Sequence, residues 1–209
     1  MRRWRTSRLD LRNHRKIAVI DGRIGYTGSQ NIVNGRARLG PANFELLVRI
    51  IGPAVWQLQM VFIADWYLET EENLVGRESF VTALMEGETP LQMLPSGPDF
   101  PSGSVDLFFT NAIHDARDEL VLVTPYFIPN EPILASLRAA VMRGVKVMLI
   151  VPRRTDSRIV TLAQRSFFAE LLASGIEVQT FQPGFLHTKS LRVDDLVAIV
   201  GSCNFDVRS

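Results

Sequence analysis

His14-Arg15-Lys16-Ile17-Ala18-Val19-Ile20-Asp21 returns near the other end of the chain as His187-Thr188-Lys189-Ser190-Leu191-Arg192-Val193-Asp194. Both stretches read H-x-K-x-x-x-x-D. Seven residues beyond each Asp a second signature begins, Gly28-Ser29-Gln30-Asn31 in the first copy and Gly201-Ser202-Cys203-Asn204 in the second. A two-part motif repeated with the same internal spacing marks two copies of one half-site, and an internal repeat fixes the architecture before any single residue does. The first copy reads as strand, Asp-Gly turn, strand: Ile17 to Ile20 is mostly β-branched, Asp21-Gly22 turns, and Arg23 to Thr27 returns. Val193 to Val200 repeats this with Asp194-Asp195 at the turn.

Working outward, Phe44 to Ile51 is a further strand candidate. Gly52-Pro53 then opens a helix with Pro at its first turn. Trp56, Met60, Ile63 and Tyr67 recur along it at helical spacing, as do Leu58, Phe62 and Trp66, and the reading is a core stripe. Between about residues 87 and 103 stand four prolines and three glycines, the density of a boundary loop. Beyond it the pattern alternates: helix over 104–118, strand over 119–124, helix over 131–143, strand over 145–151, helix over 156–174, strand over 176–181. Alternating helices and short apolar strands predict an α/β sandwich around a largely parallel sheet.

Composition sets outer bounds. With 46% hydrophobic residues and a formal net charge of +1, the chain has enough apolar material for a core and no global field that would mark a nucleic-acid binder. Arg2, Arg3, Arg5, Arg8, Arg12, Arg15 and Lys16 crowd the N-terminus and run into His14, which suggests a phosphate-facing edge of the site. The single cysteine, Cys203, excludes an internal disulfide or a Cys-based metal cluster and reads as a small filler. No apolar stretch reaches the length of a transmembrane helix. His114 carries no motif and reads as structural or exposed.

The chemistry follows from the residue types. On a strand, residues i and i+2 share a face, so His14 with Lys16, and His187 with Lys189, would present imidazole and ammonium side by side. Two such pairs suit attack at the phosphorus of an anionic substrate. One neutral imidazole forms a covalent bond to phosphorus and the other, protonated, serves the leaving alkoxide. The lysines, Asn31 and Asn204, with Ser29 and Ser202 beside them, stabilise charge on the phosphoryl oxygens. No metal or other cofactor is required. Asp21 and Asp194 are counted with the catalytic set, although each also stands at a turn. Glu45, on a strand that could return beside His14, is the candidate for orienting an imidazole.

These residues resemble the phospholipase D superfamily, and in detail the bacterial cardiolipin synthases. The similarity rests on the duplicated H-x-K-x(4)-D with Gly-Ser-x-Asn. It extends to Gly52-Pro53-Ala54-Val55, Asp65-Trp66, Pro95-Ser96-Gly97-Pro98, Thr124-Pro125-Tyr126-Phe127-Ile128-Pro129, Gln182 to Lys189 and Asn204 to Ser209. The resemblance implies two phospholipase D-like α/β sandwich domains related by pseudo-twofold symmetry, with the active site between them. Residues 1–94 would be the C-terminal half of the first domain, lacking its N-terminal half. Residues 95–209 would be the second, lacking its C-terminal strand. The chain is thus expected to be cut at both ends, and its first part to expose apolar surface.

The implied reaction is phosphatidyl transfer from phosphatidylglycerol to a second lipid hydroxyl, giving cardiolipin, with His14 as nucleophile and His187 as acid. The implied partners are anionic phospholipid and the membrane surface, with no nucleic acid. The implied place is the bacterial cell membrane, through segments outside these residues. A hydrolytic phospholipase D or nuclease shares the same half-sites. An inactive piece that only associates with anionic membrane is the reading from another class. Asp195 departs from the family's usual Gly after the motif Asp.

Overall fold

The computed structural model describes residues 14–31, 43–76, 79–96 and 104–206. The arginine-rich residues before His14 lie outside them, whereas Arg15 and Lys16 lie within. So do residues 97–103 of the boundary loop and the last three residues of the chain.

The first motif folds as the Asp-Gly pattern predicts. β1 (Ile17–Ile20) and β2 (Ile24–Gly28) form an antiparallel hairpin, and β2 pairs in turn with an antiparallel strand over Leu47–Ile51. Both Asp21 and Gly22 adopt left-handed backbone, with φ of 53° and 64°. The expected strand over 44–51 is interrupted. Asn43–Phe44 forms a separate strand, β3, and Leu47–Ile51 is β4, with Glu45 and Leu46 between them outside any ladder. That interruption carries the chain from one sheet to another. β3 pairs in parallel with β9 (Phe185–Leu186), just before the second motif.

The remainder follows the alternating pattern. α2 (Ser104–Asp115), β5 (Glu119–Val123), β6 (Phe127–Ile128), α3 (Glu131–Met142) and β7 (Lys146–Pro152) lead to α4 (Arg158–Ser166), α5 (Phe168–Ala173), β8 (Glu177–Phe181), β10 (Ser190–Val193), β11 (Val197–Val200) and β12 (Phe205–Asp206). The sheet order is β11-β10-β5-β7-β8. Strands β5, β7 and β8 are parallel, but β10 runs antiparallel to both its neighbours, and the first sheet is antiparallel throughout. The expectation of a largely parallel sheet is therefore corrected to a mixed one. The hairpins at both motifs force the antiparallel β1–β2 and β10–β11 pairs, and β10 meets β5 antiparallel by a long-range pairing.

Helix boundaries follow local chemistry. Asn130 accepts a hydrogen bond from the Ile133 amide and so caps α3, with Pro132 in the first turn. Ser157 caps α4 through the Val160 amide. The single helix expected over 156–174 is two, because the chain tightens at Phe167, whose amide bonds the Gln164 carbonyl at three-residue spacing.

Nineteen buried apolar residues form one cluster around the five-stranded sheet, including Leu120, Leu122, Leu137, Val147, Leu149 and Ile176. The first sheet has a buried cluster of three, Ile50, Val55 and Leu58. α1 (Ala54–Thr70) explains the contrast. It buries Val55, Leu58 and Ile63, but Met60 is 63% and Tyr67 54% exposed, and Trp56, Phe62, Trp66 and Leu68 are exposed as well. The expected core stripe along this helix is thus corrected. A three-stranded sheet covers one side of a helix, and α1 is apolar on more than one.

Candidate active site

Each H-x-K lies just before its strand rather than on it, since β1 begins at Ile17 and β10 at Ser190. The pairing of imidazole and ammonium survives in another form. Lys16 Nζ donates to the carbonyl of His14 at 2.6 Å, and Lys189 Nζ donates to the carbonyl of His187 at the same distance. Each lysine is therefore folded against its own histidine.

The two copies also touch one another. His14 Nδ1 lies 3.2 Å from the backbone carbonyl of Ser202, in the Gly-Ser-x-Asn of the other copy. A carbonyl only accepts, so the Nδ1 proton is donated and Nε2 carries the lone pair. His187 Nδ1 lies 2.9 Å from both oxygens of Glu45, from the first half of the chain. The same logic leaves Nε2 of His187 unengaged by that pair. The sequence reading set Glu45 beside His14, and this is corrected. The reason is the break after β3, which pairs with β9. The His187 amide donates to the Phe44 carbonyl at 2.8 Å, and Glu45, next in line, meets the His187 ring.

Glu45 is held from several sides. Ser29 Oγ donates to it at 2.7 Å and Asn43 Nδ2 at 3.2 Å. Ser29 also exchanges hydrogen bonds with Leu46, its amide donating to the Leu46 carbonyl and its Oγ accepting from the Leu46 amide, both at 2.9 Å. Gly28 makes this approach possible. Its φ is 154°, and a Cβ there would stand 2.2 Å from the Leu46 carbonyl oxygen. So the Gly-Ser of the first motif holds the carboxylate that serves the second motif's histidine. Asn31 is half-buried at the end of this segment. Asn204 borders a crevice beside Asp106, Phe109 and Asn130, between α2 and α3.

Electrostatics follow from this packing. Burial, then the Lys16 charge, holds the His14 ring below its ordinary pKa against the Ser202 carbonyl, and Lys189 and His187 push the same way. Burial and Lys189 lower His187, while the Glu45 hydrogen bond and charge oppose them. Burial lowers Lys16 against the pull of Glu45. Burial alone would raise Glu45. The hydrogen bonds from Ser29 and His187, the His187 charge and the Asn43 contact outweigh it, and the carboxyl sits below its usual range.

Three sequence expectations are placed elsewhere. Asp194 accepts from the amides of Arg117, Asp118 and Glu119 at 3.1, 2.9 and 2.9 Å, at the far end of β10 from His187. Asp21 is exposed at the β1–β2 turn, again across a strand from its histidine. Both have left-handed φ, 53° and 51°, and neither is brought to an imidazole. Asp195 does not share this left-handed conformation, which is why the second turn accepts a residue other than Gly. Arg15 was read as facing phosphate. Its guanidinium instead clamps both carboxylate oxygens of Asp65 on α1 and donates to the Ser96 carbonyl. Ser96 Oγ in turn meets Cys203 Sγ at 3.1 Å. The boundary loop is thereby tied to both motifs, a role no spacing announces. His114 lies on α2 near Ser136, at 3.5 Å, away from any motif.

Residues 109–209 match a family described as cardiolipin synthase, PLD-like domain. That match takes in the second His–Lys motif and stops short of the first. Among curated relatives, cardiolipin synthase A of Pectobacterium atrosepticum and that of Serratia proteamaculans are each 39% identical over 209 residues, matching 97% of this chain. The chain spans 43% of the length of each. Among solved structures, phosphatidylserine synthase from Haemophilus influenzae superposes with a TM-score of 0.61 over 93% of this chain and 54% of that one, at 15% identity. That likeness speaks for the fold alone.

Proposed function

We propose that the two His–Lys elements perform phosphatidyl transfer, making cardiolipin from two molecules of phosphatidylglycerol through a phosphohistidine. One observation carries the reading: each motif histidine is oriented through Nδ1 by the opposite copy, so that two Nε2 atoms are left for substrate. The two halves then act as pseudo-twofold partners, residues 1–94 and 95–209, around one phosphorus.

The steps balance without a further reactant. Nε2 of neutral His14 attacks phosphorus, and the bond to the headgroup glycerol oxygen breaks. His187, protonated and held by Glu45, gives that oxygen its proton, and glycerol departs. Neutral His187 then takes the proton of a primary hydroxyl on a second phosphatidylglycerol. That oxygen attacks phosphorus, the P–N bond breaks, and cardiolipin leaves. Lys16 and Lys189 offset charge on the non-bridging oxygens, with Ser202 and Asn204 nearby. Asp21 and Asp194 fix the hairpin turns that carry the motifs. The relatives' name supports this substrate class, and the place of action would be a bacterial membrane surface.

The test is product analysis with phosphatidylglycerol vesicles. Cardiolipin plus free glycerol is the expected pair. Phosphatidic acid plus glycerol would make the activity hydrolytic, with water replacing the second lipid. An acid-labile phosphatidyl adduct on His14, found by peptide mass spectrometry and absent in His14→Ala, identifies the nucleophile. The same adduct on His187 in His14→Ala would reverse the two roles.

A further inference from the structure

A second surface lies at the carboxyl ends of the parallel strands, where open α/β sheets gather their ligands. β7 ends at Pro152, and Arg153, Arg154, Asp156 and Arg158 follow at the entry to α4. On α4 itself Ile159 is 79% and Leu162 68% exposed. At 100° per residue, Arg158, Ile159, Leu162, Arg165 and Ser166 share one face of the helix, and all five are exposed. Gln164 points the other way and is buried, accepting from the Phe127 amide at 3.1 Å and donating to the Pro152 carbonyl at 3.4 Å. The helix is therefore anchored by Gln164, its one buried residue, and shows Ile159 and Leu162 to solvent.

The surface is basic and its charges are available. Four arginines, Arg153, Arg154, Arg158 and Arg165, stand against one acid, Asp156, in residues 153–166. Among the described residues none of the four is ion-paired with a carboxylate. Asp156 accepts from the Tyr126 hydroxyl at 2.8 Å. The Tyr126 ring is 6.1 Å from Phe185, and Phe185 is 5.6 Å from the His187 ring. One run of contacts therefore joins the basic-apolar face to the proposed acid.

We propose that the Arg153–Ser166 segment is the face that seats on an anionic phospholipid bilayer, with Ile159 and Leu162 among the acyl chains and the four guanidiniums at the phosphates. This rests on the phosphatidyl-transfer reading for its purpose, since a diacyl substrate must be drawn from a bilayer beside the histidines. The chemistry is that of an interfacial amphipathic helix, in which buried aliphatic ends and basic residues act together. An acidic protein partner would leave two isolated aliphatic tips without a matching pocket. A lipid surface adapts to them.

The experiment is sedimentation of the 209-residue chain with vesicles of phosphatidylcholine alone and of phosphatidylcholine with one quarter phosphatidylglycerol. The chain is expected to favour the anionic vesicles. The double substitution Arg154→Ser, Arg158→Ser should weaken that partition about 30-fold, because each basic residue near an anionic surface strengthens binding by about fivefold. Both residues are exposed, so the circular dichroism spectrum and melting curve should not change. In a Leu162→Trp variant, vesicles with brominated acyl chains should quench more fluorescence than they do in the unsubstituted chain.

Unchanged partition of the double variant, or no added quenching at position 162, overturns the proposal. So does an oligonucleotide whose binding the two substitutions abolish while vesicle binding persists, which would assign the patch to nucleic acid. Turnover of monomeric short-chain phosphatidylglycerol, unaffected by the two substitutions, separates docking from chemistry. If the unsubstituted chain has no such turnover, the transfer reading fails, and the vesicle data still decide the docking face.

Discussion

Glu45 and His187 are 142 residues apart in the chain and meet at 2.9 Å, a carboxylate from one half of the molecule orienting the imidazole of the other. The contact fixes the His187 tautomer and pulls toward the protonated form that a donor to a leaving alkoxide needs, while burial and Lys189 still hold the ring below its ordinary pKa. The Ser202 carbonyl does the first of these for His14 and supplies no full charge for the second. The two histidines are thus made unequal by their partners, in the direction that suits His14 as nucleophile and His187 as acid.

Glu45→Gln should keep the fold and slow turnover of a nitrophenyl phosphodiester less than that of phosphatidylglycerol, whose leaving group needs a proton. The loss for the natural leaving group should be about 100-fold, the low end of a positioned acid's contribution. The pH profile gives a second reading. Glu45 raises the His187 pKa against burial and Lys189. Without its charge the imidazolium loses its proton at lower pH, so the basic limb of the profile should move toward acid. A limb that stays in place would show that Glu45 does not act on the titrating acid.

Much of this was legible from residue order. The duplicated H-x-K, the Asp-Gly hairpin and the alternation of helix and strand after residue 104 are local patterns, and they appear in the fold near their expected bounds. What escaped is long-range. That Glu45 serves His187 depends on a two-residue parallel pairing between Asn43–Phe44 and Phe185–Leu186, too short to carry any periodicity. The Arg15–Asp65 clamp joins residues 50 apart through side chains alone. The exposure of α1 misled the reading for another reason: helical spacing of apolar residues says that a face is apolar, not that a neighbour covers it.

Gly28→Ala should weaken the site from a distance. The new Cβ would meet the Leu46 carbonyl oxygen at 2.2 Å, and φ of 154° is itself unfavourable for alanine. The backbone term alone is on the order of 1–3 kcal/mol. Relief requires Leu46 to move, and Ser29 and Glu45 with it. The measurable outcome is a lower melting temperature together with loss of the Glu45-dependent limb in the pH profile. A variant as stable and active as the parent would mean that the Ser29–Leu46 contact does not hold Glu45.

Hydrogen exchange should divide the chain in two. The sheet β5-β7-β8-β10 sits in a cluster of nineteen buried apolar residues, whereas β1-β2-β4 and α1 share a buried cluster of three. At about 1.5–3 kcal/mol for each fully buried aliphatic side chain, the second sheet has far more to lose on opening. Amides of Leu120, Leu122 and Leu149 should therefore be protected longest, and those of β1 and α1 should exchange through smaller openings. Equal protection across both sheets would show one cooperative unit instead.

Asp194 offers a way to separate support from catalysis within one motif. Its carboxylate accepts three amide hydrogen bonds, from Glu119, Asp118 and Arg117, and these hold its pKa below the usual carboxylate value. A depressed carboxyl contributes stability above its unfolded pKa and loses that contribution as pH falls through the folded one. Asp194→Asn should therefore lower the melting temperature at pH 7, and the gap to the parent should narrow as the pH is taken below about 4, where the unfolded carboxyl protonates. Because the group lies across a strand from His187, activity per folded molecule should be unchanged at temperatures well below the melt. A large fall in turnover with an unaltered melting curve would instead return Asp194 to the chemistry, and the turn would then be the lesser part of its role.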